Sequence, residues 1–198
     1  FVTKAVSTQE RKGNRPQRIV ETPGGMLNAI GLANVGLERF CTEKTAFLRE
    51  LGVPAIVNVV GYSIEEYLTV CRRLDEVDCV AAVELNVSCP NVANGLEFGT
   101  DPDRLHELVA AARKVVRRAK LIVKLSPNVT DIAATARAAV DGGAEALSVI
   151  NTLRGMAINV DTWEPVLANR VGGVSGPAIK PIALAMVNEV YRKVAGER

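Results

Sequence analysis

Apolar positions along the chain fall into two alternating patterns. Short runs that are apolar at nearly every position, such as Ala55-Ile-Val-Asn-Val-Val-Gly61, alternate with longer stretches where apolar residues recur every three or four positions. A continuous β-branched run predicts a strand buried on both faces; the three-to-four spacing predicts an amphipathic helix. On this basis strands fall at Ala55–Gly61, Val80–Val87, Leu121–Leu125 and Ala146–Ile150. Helices fall at Ile64–Val77, Asp101–Arg118, Thr130–Asp141 and Ile179–Ala195. Their ends carry the expected chemistry: Ser63 with Glu66 makes a capping box, Pro102 sits in a first turn, and Gly142-Gly143 stops a helix. Phe1–Thr3 reads as the end of one more strand.

Apolar strands alternating with helices imply a parallel sheet covered on both faces, either an open doubly wound sheet or a (βα)8 TIM barrel. Polar residues stand at or just beyond the strand ends: Asn58, Asn86, Lys124 and Asn151, spaced 28, 38 and 27 residues apart. A barrel would bring all of them to one mouth. No Gly-x-Gly-x-x-Gly follows a strand, which weakens the dinucleotide-binding open sheet. The expectation is therefore an α/β chain forming an incomplete TIM barrel. A whole barrel takes ~250 residues. About five of eight strands are expected here, truncated at both ends, within one domain covering residues 1–198. Ser7–Asn28 and Gly155–Ser175 break the rhythm and read as long irregular loops over the mouth.

Composition narrows the partners. With 24 Lys+Arg against 22 Asp+Glu the net charge is +2, so nothing in the global charge calls for nucleic acid or an anionic membrane. No apolar run approaches the ~18 residues that span a bilayer. Phe1-Val2-Thr3-Lys4 does not begin like a signal peptide. Cys41, Cys71, Cys79 and Cys89 form no Cys-x-x-Cys pair, so a reduced, cytoplasmic setting is expected.

Asn86-Val-Ser-Cys-Pro-Asn91, directly after a strand, is the most informative stretch. Cys89 there is either a base or nucleophile, since a thiol of pKa ~8.5 serves near neutrality once its site favours thiolate, or a small buried hydrophobe. Lys124, inside the apolar run Leu121–Leu125, either binds a negative group or pairs with Glu84 on a neighbouring strand. Lys4, at a strand end, adds a second cation. Asn28-Ala-Ile-Gly-Leu32 and Asn151-Thr152 supply amide and backbone donors suited to a planar heterocycle. His106, the only histidine, reads as a solvated helix residue, which removes Ser-His-Asp chemistry and His-based metal sites; no metal site is expected. The basic run Arg113–Lys120 reads as a helix end.

Taken together, several stretches resemble the class 1 dihydroorotate dehydrogenases. They are Thr3-Lys4, Glu21-Thr22-Pro23 with Gly25–Leu32, Val57-Asn58-Val59, Glu84–Val92, Phe98–Pro102, Val123–Asn128, Ile150–Leu153 with Gly155–Ile158, and Ser175–Pro181. The resemblance implies an FMN-holding barrel that oxidises dihydroorotate to orotate in pyrimidine (UMP) synthesis. By position it makes Cys89 the catalytic base. It makes Lys4, Asn28, Ala29, Ile30, Gly31, Leu32, Asn86, Asn151 and Thr152 substrate contacts, and Lys4, Ala5, Asn58, Asn86, Lys124, Ile150 and Gly176 FMN contacts. Ala5 departs from the small hydroxyl residue common there, and the loop Val92–Phe98 is one residue short. The first and last two strands of the family barrel are missing. The pattern is most like type 1B, which implies a partner subunit carrying FAD and a [2Fe–2S] cluster that passes electrons to NAD, with a homodimer of catalytic subunits inside a heterotetramer. A fumarate-linked type 1A enzyme and a non-catalytic barrel remnant are the alternatives.

Overall fold

The structure is a computed structural model and describes residues 1–88 and 98–196. An extended segment, residues 1–6, leads into a hairpin of β1 (Ile19–Thr22) and β2 (Gly25–Asn28). A helical run follows: α1 (Leu37–Arg39), a π-turn at Phe40–Lys44, and α2 (Thr45–Glu50). Then strand and helix alternate: β3 (Ala55–Val59), α3 (Ile64–Asp75), β4 (Val80–Asn86), α4 (Pro102–Val115), β5 (Lys120–Lys124), α5 (Ile132–Asp141) and β6 (Ala146–Ser148). After β6 come β7 (Leu153–Met156), the small hairpin β8 (Ile158–Asn159) and β9 (Glu164–Pro165), β10 (Val171–Ser175), and α6 (Lys180–Val190).

β3, β4, β5 and β6 lie side by side in chain order, all parallel. Residues 1–6 run parallel along the other edge of β3, where Thr3 donates to Ile56 O (2.9 Å) and Val6 to Asn58 O (2.8 Å). This agrees with the five strands expected. Among the described residues the sheet runs from residues 1–6 to β6 and does not close on itself. The chain is thus mixed α/β with a parallel sheet.

One face of that sheet is sealed by helices. Val57, Val83, Leu85, Leu121 and Val123 are fully buried, packed with Val70 and Leu74 of α3, Leu105 and Leu108 of α4, and Ala136 of α5. Each such aliphatic side chain contributes about 1.5–3 kcal/mol by leaving water. The caps behave as expected. Ser63 Oγ accepts from Glu66 N–H (3.2 Å) while Glu66 reaches back to Tyr62 N–H (2.8 Å). Asp101 and Asp131 cap α4 and α5.

Several expectations need correction. The fourth helix ends at Val115, not Arg118, because the Asp75 carboxylate accepts from the backbone N–H groups of Arg117 (2.9 Å), Arg118 (3.0 Å) and Ala119 (2.8 Å) and holds them extended. Partial burial alone would raise the Asp75 pKa, yet these three N–H groups and the Arg118 cation outweigh it and hold the carboxyl below its usual value. The segments read as irregular loops instead form a second, antiparallel sheet of order β1-β2-β10-β7. The α1–α2 run was not anticipated at all.

Candidate active site

Side chains alternate along a strand, so the face of the parallel sheet opposite the helices collects every second residue. In β3, β4, β5 and β6 these include Asn58, Glu84, Asn86, Lys124 and Ser148. The register sets Asn58 opposite Glu84, and Asn86 opposite Lys124, which itself lies opposite Ser148. The expected convergence of strand ends is therefore present as a hydrogen-bonded chain. Asn58 donates to Glu84 Oε1 (2.6 Å), Asn86 to Asn58 Oδ1 (3.4 Å), and Asn151 to Asn86 Oδ1 (3.2 Å). Ser148 Oγ donates to the second Glu84 oxygen, and Thr152 N–H to Asn151 Oδ1 (2.8 Å). The pairing of Lys124 with Glu84 weighed above does not form: the carboxylate is occupied by Asn58 and Ser148.

The antiparallel sheet carries a second group of candidates into the same site. Asn28, at the end of β2, donates to Gly173 O (3.3 Å) on β10. On the other side of Gly173 lies Thr152: a Cβ at residue 173 would sit 2.1 Å from its Oγ1. Gly172 is equally confined, with Asn28 O 2.5 Å from where its Cβ would be. This glycine pair lets Asn28 and Thr152 close on one strand. Asn128, after β5, ties the two sheets together by donating to Thr152 O (3.1 Å) and accepting from Arg154 N–H (2.9 Å).

Residues Ala29–Leu32 are clasped by the preceding loop: Asn14 donates its side chain to Ala29 O (2.9 Å) and its backbone N–H to Ile30 O (3.0 Å). Gly31 and Leu32 both have positive φ, +75° and +59°. For Leu32 that conformation costs roughly 1–2 kcal/mol, so the clasp holds a strained segment in place. Gly176 lies against Gly25 where β10 leaves the sheet. Ile150 packs half-buried against the core, Ala5 is buried, and Lys4 is exposed on the segment beside β3.

The structure thus brings Asn28, Asn58, Asn86, Asn151 and Thr152 into one connected site, with Lys124 in register beside Asn86. Lys4 and Ala5 stand on the neighbouring strand, and Ala29–Leu32 and Gly176 on the covering sheet. Cys89 lies outside the described residues, as do residues 92–97 of the loop expected to be one residue short. Sequence reading missed Ser148, Asn128 and the Gly172-Gly173 pair, and took Glu84 only as a counter-ion. A glutamate in the run Val80–Val87 was the available signal, of the same kind as Lys124.

The model of the family described as dihydroorotate dehydrogenase matches residues 1–197. The chain belongs to the dihydroorotate dehydrogenase family. Among its curated relatives, a protein of Pelobacter propionicus is 57% identical over 195 residues, and one of Trichlorobacter lovleyi is also 57% identical. A Geobacter sulfurreducens protein is 54% identical. All three are named dihydroorotate dehydrogenase B (NAD(+)), catalytic subunit. Each match covers 98% of this chain and 64% of the relative, so the chain spans just under two thirds of those dihydroorotate dehydrogenases. No helix among the described residues is long and apolar enough to cross a membrane.

Proposed function

We propose that the full-length protein is an NAD-linked dihydroorotate dehydrogenase that converts dihydroorotate to orotate. The observation that carries this reading is the amide chain Asn58–Asn86–Asn151 at the C-terminal strand ends of a chain matched by the family over residues 1–197. In this reading residues 1–198 belong to one domain, part of a (βα)8 barrel. The outer edge of β6, unpaired among the described residues, supports it, as do Leu184 and Val187, exposed on α6 as they would be if further βα units cover them.

The residues present fit FMN. Asn58, Asn86 and Asn151 each use one donor bond of the amide nitrogen among the described residues, leaving a second N–H, and Lys124 adds a cation. Donors of this kind match the acceptor-rich pyrimidine edge of a flavin. Lys4, Ala5, Asn58, Asn86, Lys124, Ile150 and Gly176 would hold it. Bound FMN supplies the hydride acceptor for C6 of dihydroorotate. Cys89 removes the proton from C5 as general base, which requires thiolate at working pH. Lys124 offers a fixed cation to negative charge at the bound ring. Asn28–Leu32, Asn86, Asn151, Thr152 and Lys4 hold the substrate ring in the reacting orientation. The names of the relatives, NAD(+)-linked catalytic subunits, support the NAD linkage and a separate partner subunit. In this reading that partner carries FAD and a [2Fe–2S] cluster and passes electrons to NAD, and the catalytic subunits pair as a homodimer within a heterotetramer in the cytoplasm.

The test is to purify the full-length protein alone and with its co-expressed partner subunit, and to assay dihydroorotate oxidation with NAD and with fumarate. NAD-linked turnover that appears only with the partner is the expected result. A flavin-free, inactive preparation would overturn the enzymatic reading, and fumarate turnover without a partner would overturn the NAD linkage.

A further inference from the structure

The segment Ala29–Leu32 has its carbonyls tied down on one side. Ala29 O accepts from Asn14 Nδ2 (2.9 Å), Ile30 O from Asn14 N–H (3.0 Å), and Leu32 O from Asn34 Nδ2 (2.8 Å). The peptides from Ala29 to Gly31 are trans, and in a trans peptide the N–H points opposite to the C=O. The N–H groups of Ile30 and Gly31 are therefore both aimed away from Asn14. Neither has a hydrogen-bond partner among the described residues. Backbone donors on a half-buried segment need an acceptor, from water or from a ligand. Asn14 is itself braced: Arg18 donates to Asn14 O and to Lys12 O (3.1 Å), and Ala29 N–H returns to Arg18 O (2.8 Å). The approach is close, since a Cβ on Gly31 would lie 2.6 Å from Asn14 Cγ.

We propose that Asn14 is a positioning residue for the substrate: by holding the Ala29 and Ile30 carbonyls it turns the Ile30 and Gly31 N–H groups towards the oxygens of the bound substrate. The inference rests on the functional reading above for the identity of that substrate. Asn14 touches no ligand in this account; it acts through the backbone of Ala29–Gly31. Asn34 fixes the far end of the segment but holds neither of these two carbonyls. Any residue except proline would supply the N–H that Ile30 O accepts, so the side-chain donor to Ala29 O is what calls for an amide at residue 14.

The test uses the full-length FMN-loaded protein with N14D and N14A, and with L85A as a control that weakens only the helix side of the sheet. N14D keeps the volume and the backbone N–H but sets a carboxylate against Ala29 O. N14A removes the donor without that repulsion. Orotate affinity is read from the flavin absorbance change, FMN affinity from the fluorescence change as apoprotein takes up the flavin, and folding from Tm. Hydrogen exchange of the Ala29 amide, bonded to Arg18 O, reports the segment itself. N14D is expected to lose orotate affinity about tenfold, the scale of one mis-set hydrogen bond, and N14A less. FMN affinity should hold in both, because Ala29–Leu32 are substrate contacts only. KM should rise more than kcat falls, and exchange at Ala29 should speed up. L85A should lower Tm and keep its orotate affinity. Native orotate affinity in both variants, an equal loss of FMN and orotate affinity, or the same orotate loss in L85A would overturn the proposal. If N14D does not fold, N14A decides by the same readings; if neither folds, Asn14 is a general structural residue and the proposal is overturned. A native protein that takes up FMN but not orotate would sink the functional reading instead. Faster exchange at Ala29 in N14A with FMN affinity intact would then still support the hold of Asn14 on the segment, and unchanged exchange would overturn it.

Discussion

The two faces of the parallel sheet are built from the same strands and differ by one residue of register. Val57, Val83, Leu85 and Val123 point to the helices and are fully buried. Their neighbours Asn58, Glu84, Asn86 and Lys124 occupy the other face and are joined by hydrogen bonds or strand register. Cys71 shows what the helix side does to chemistry: burial pushes its thiol up to about 12, which leaves it an inert core residue. One face makes the fold stable, and the other carries polarity that the first makes tolerable. A one-residue slip in any strand would exchange the two sets.

That division can be tested by substitutions that strike one side only. On the proposed function, the largest effect is expected from Cys89→Ala, which should lower kcat by about 10²–10⁴-fold, the range for a lost general base. Leu85→Ala should do the reverse, destabilising by about 2–5 kcal/mol in denaturant titrations while the folded fraction keeps its orotate affinity. Gly173→Ala crosses between the sheets, because the added Cβ meets Thr152 Oγ1. It should cost about 1–3 kcal/mol and also weaken orotate binding, since it displaces Thr152. Asp75→Asn lies far from the polar face and should cost about 1 kcal/mol or less without changing ligand affinity. Because the native Asp75 carboxyl lies below its usual value, its contribution is present above the unfolded pKa of ~3.9 and is lost as pH falls through the native value. Acid unfolding of Asp75→Asn should therefore begin from a lower plateau and show a shallower decline between about pH 4 and the native pKa.

The order of strands and helices was legible because strand and helix imprint different periods on the sequence. The polar strand ends were legible for the same reason, as isolated amides and a lysine interrupting apolar runs. The antiparallel sheet was not. Its strands are four or five residues long and rich in glycine, and the partner that gives β2 its regularity, β10, is remote in the chain. In the α1–α2 run the buried Leu37, Phe40 and Leu48 fall on one face of a 3.6-residue helix, so its signal was present in the sequence. Glu84 was visible but misassigned. Lys124 offered an obvious opposite charge, and only the register reveals that Asn58 and Ser148 reach the carboxylate first.

The bond from Asn28 to Gly173 spans 145 residues. At a synthesis rate of roughly 5–20 residues per second, the second partner leaves the ribosome on the order of ten seconds after the first. During that interval β3 and β4 can pair and α3 can pack, since their contacts are local and form early. The strained Gly31-Leu32 segment already has its clasp in Asn14, but β2 must wait for β10. The nascent chain therefore carries most of the donors of the site well before β10 pairs with β2 and brings Asn28 and Thr152 together.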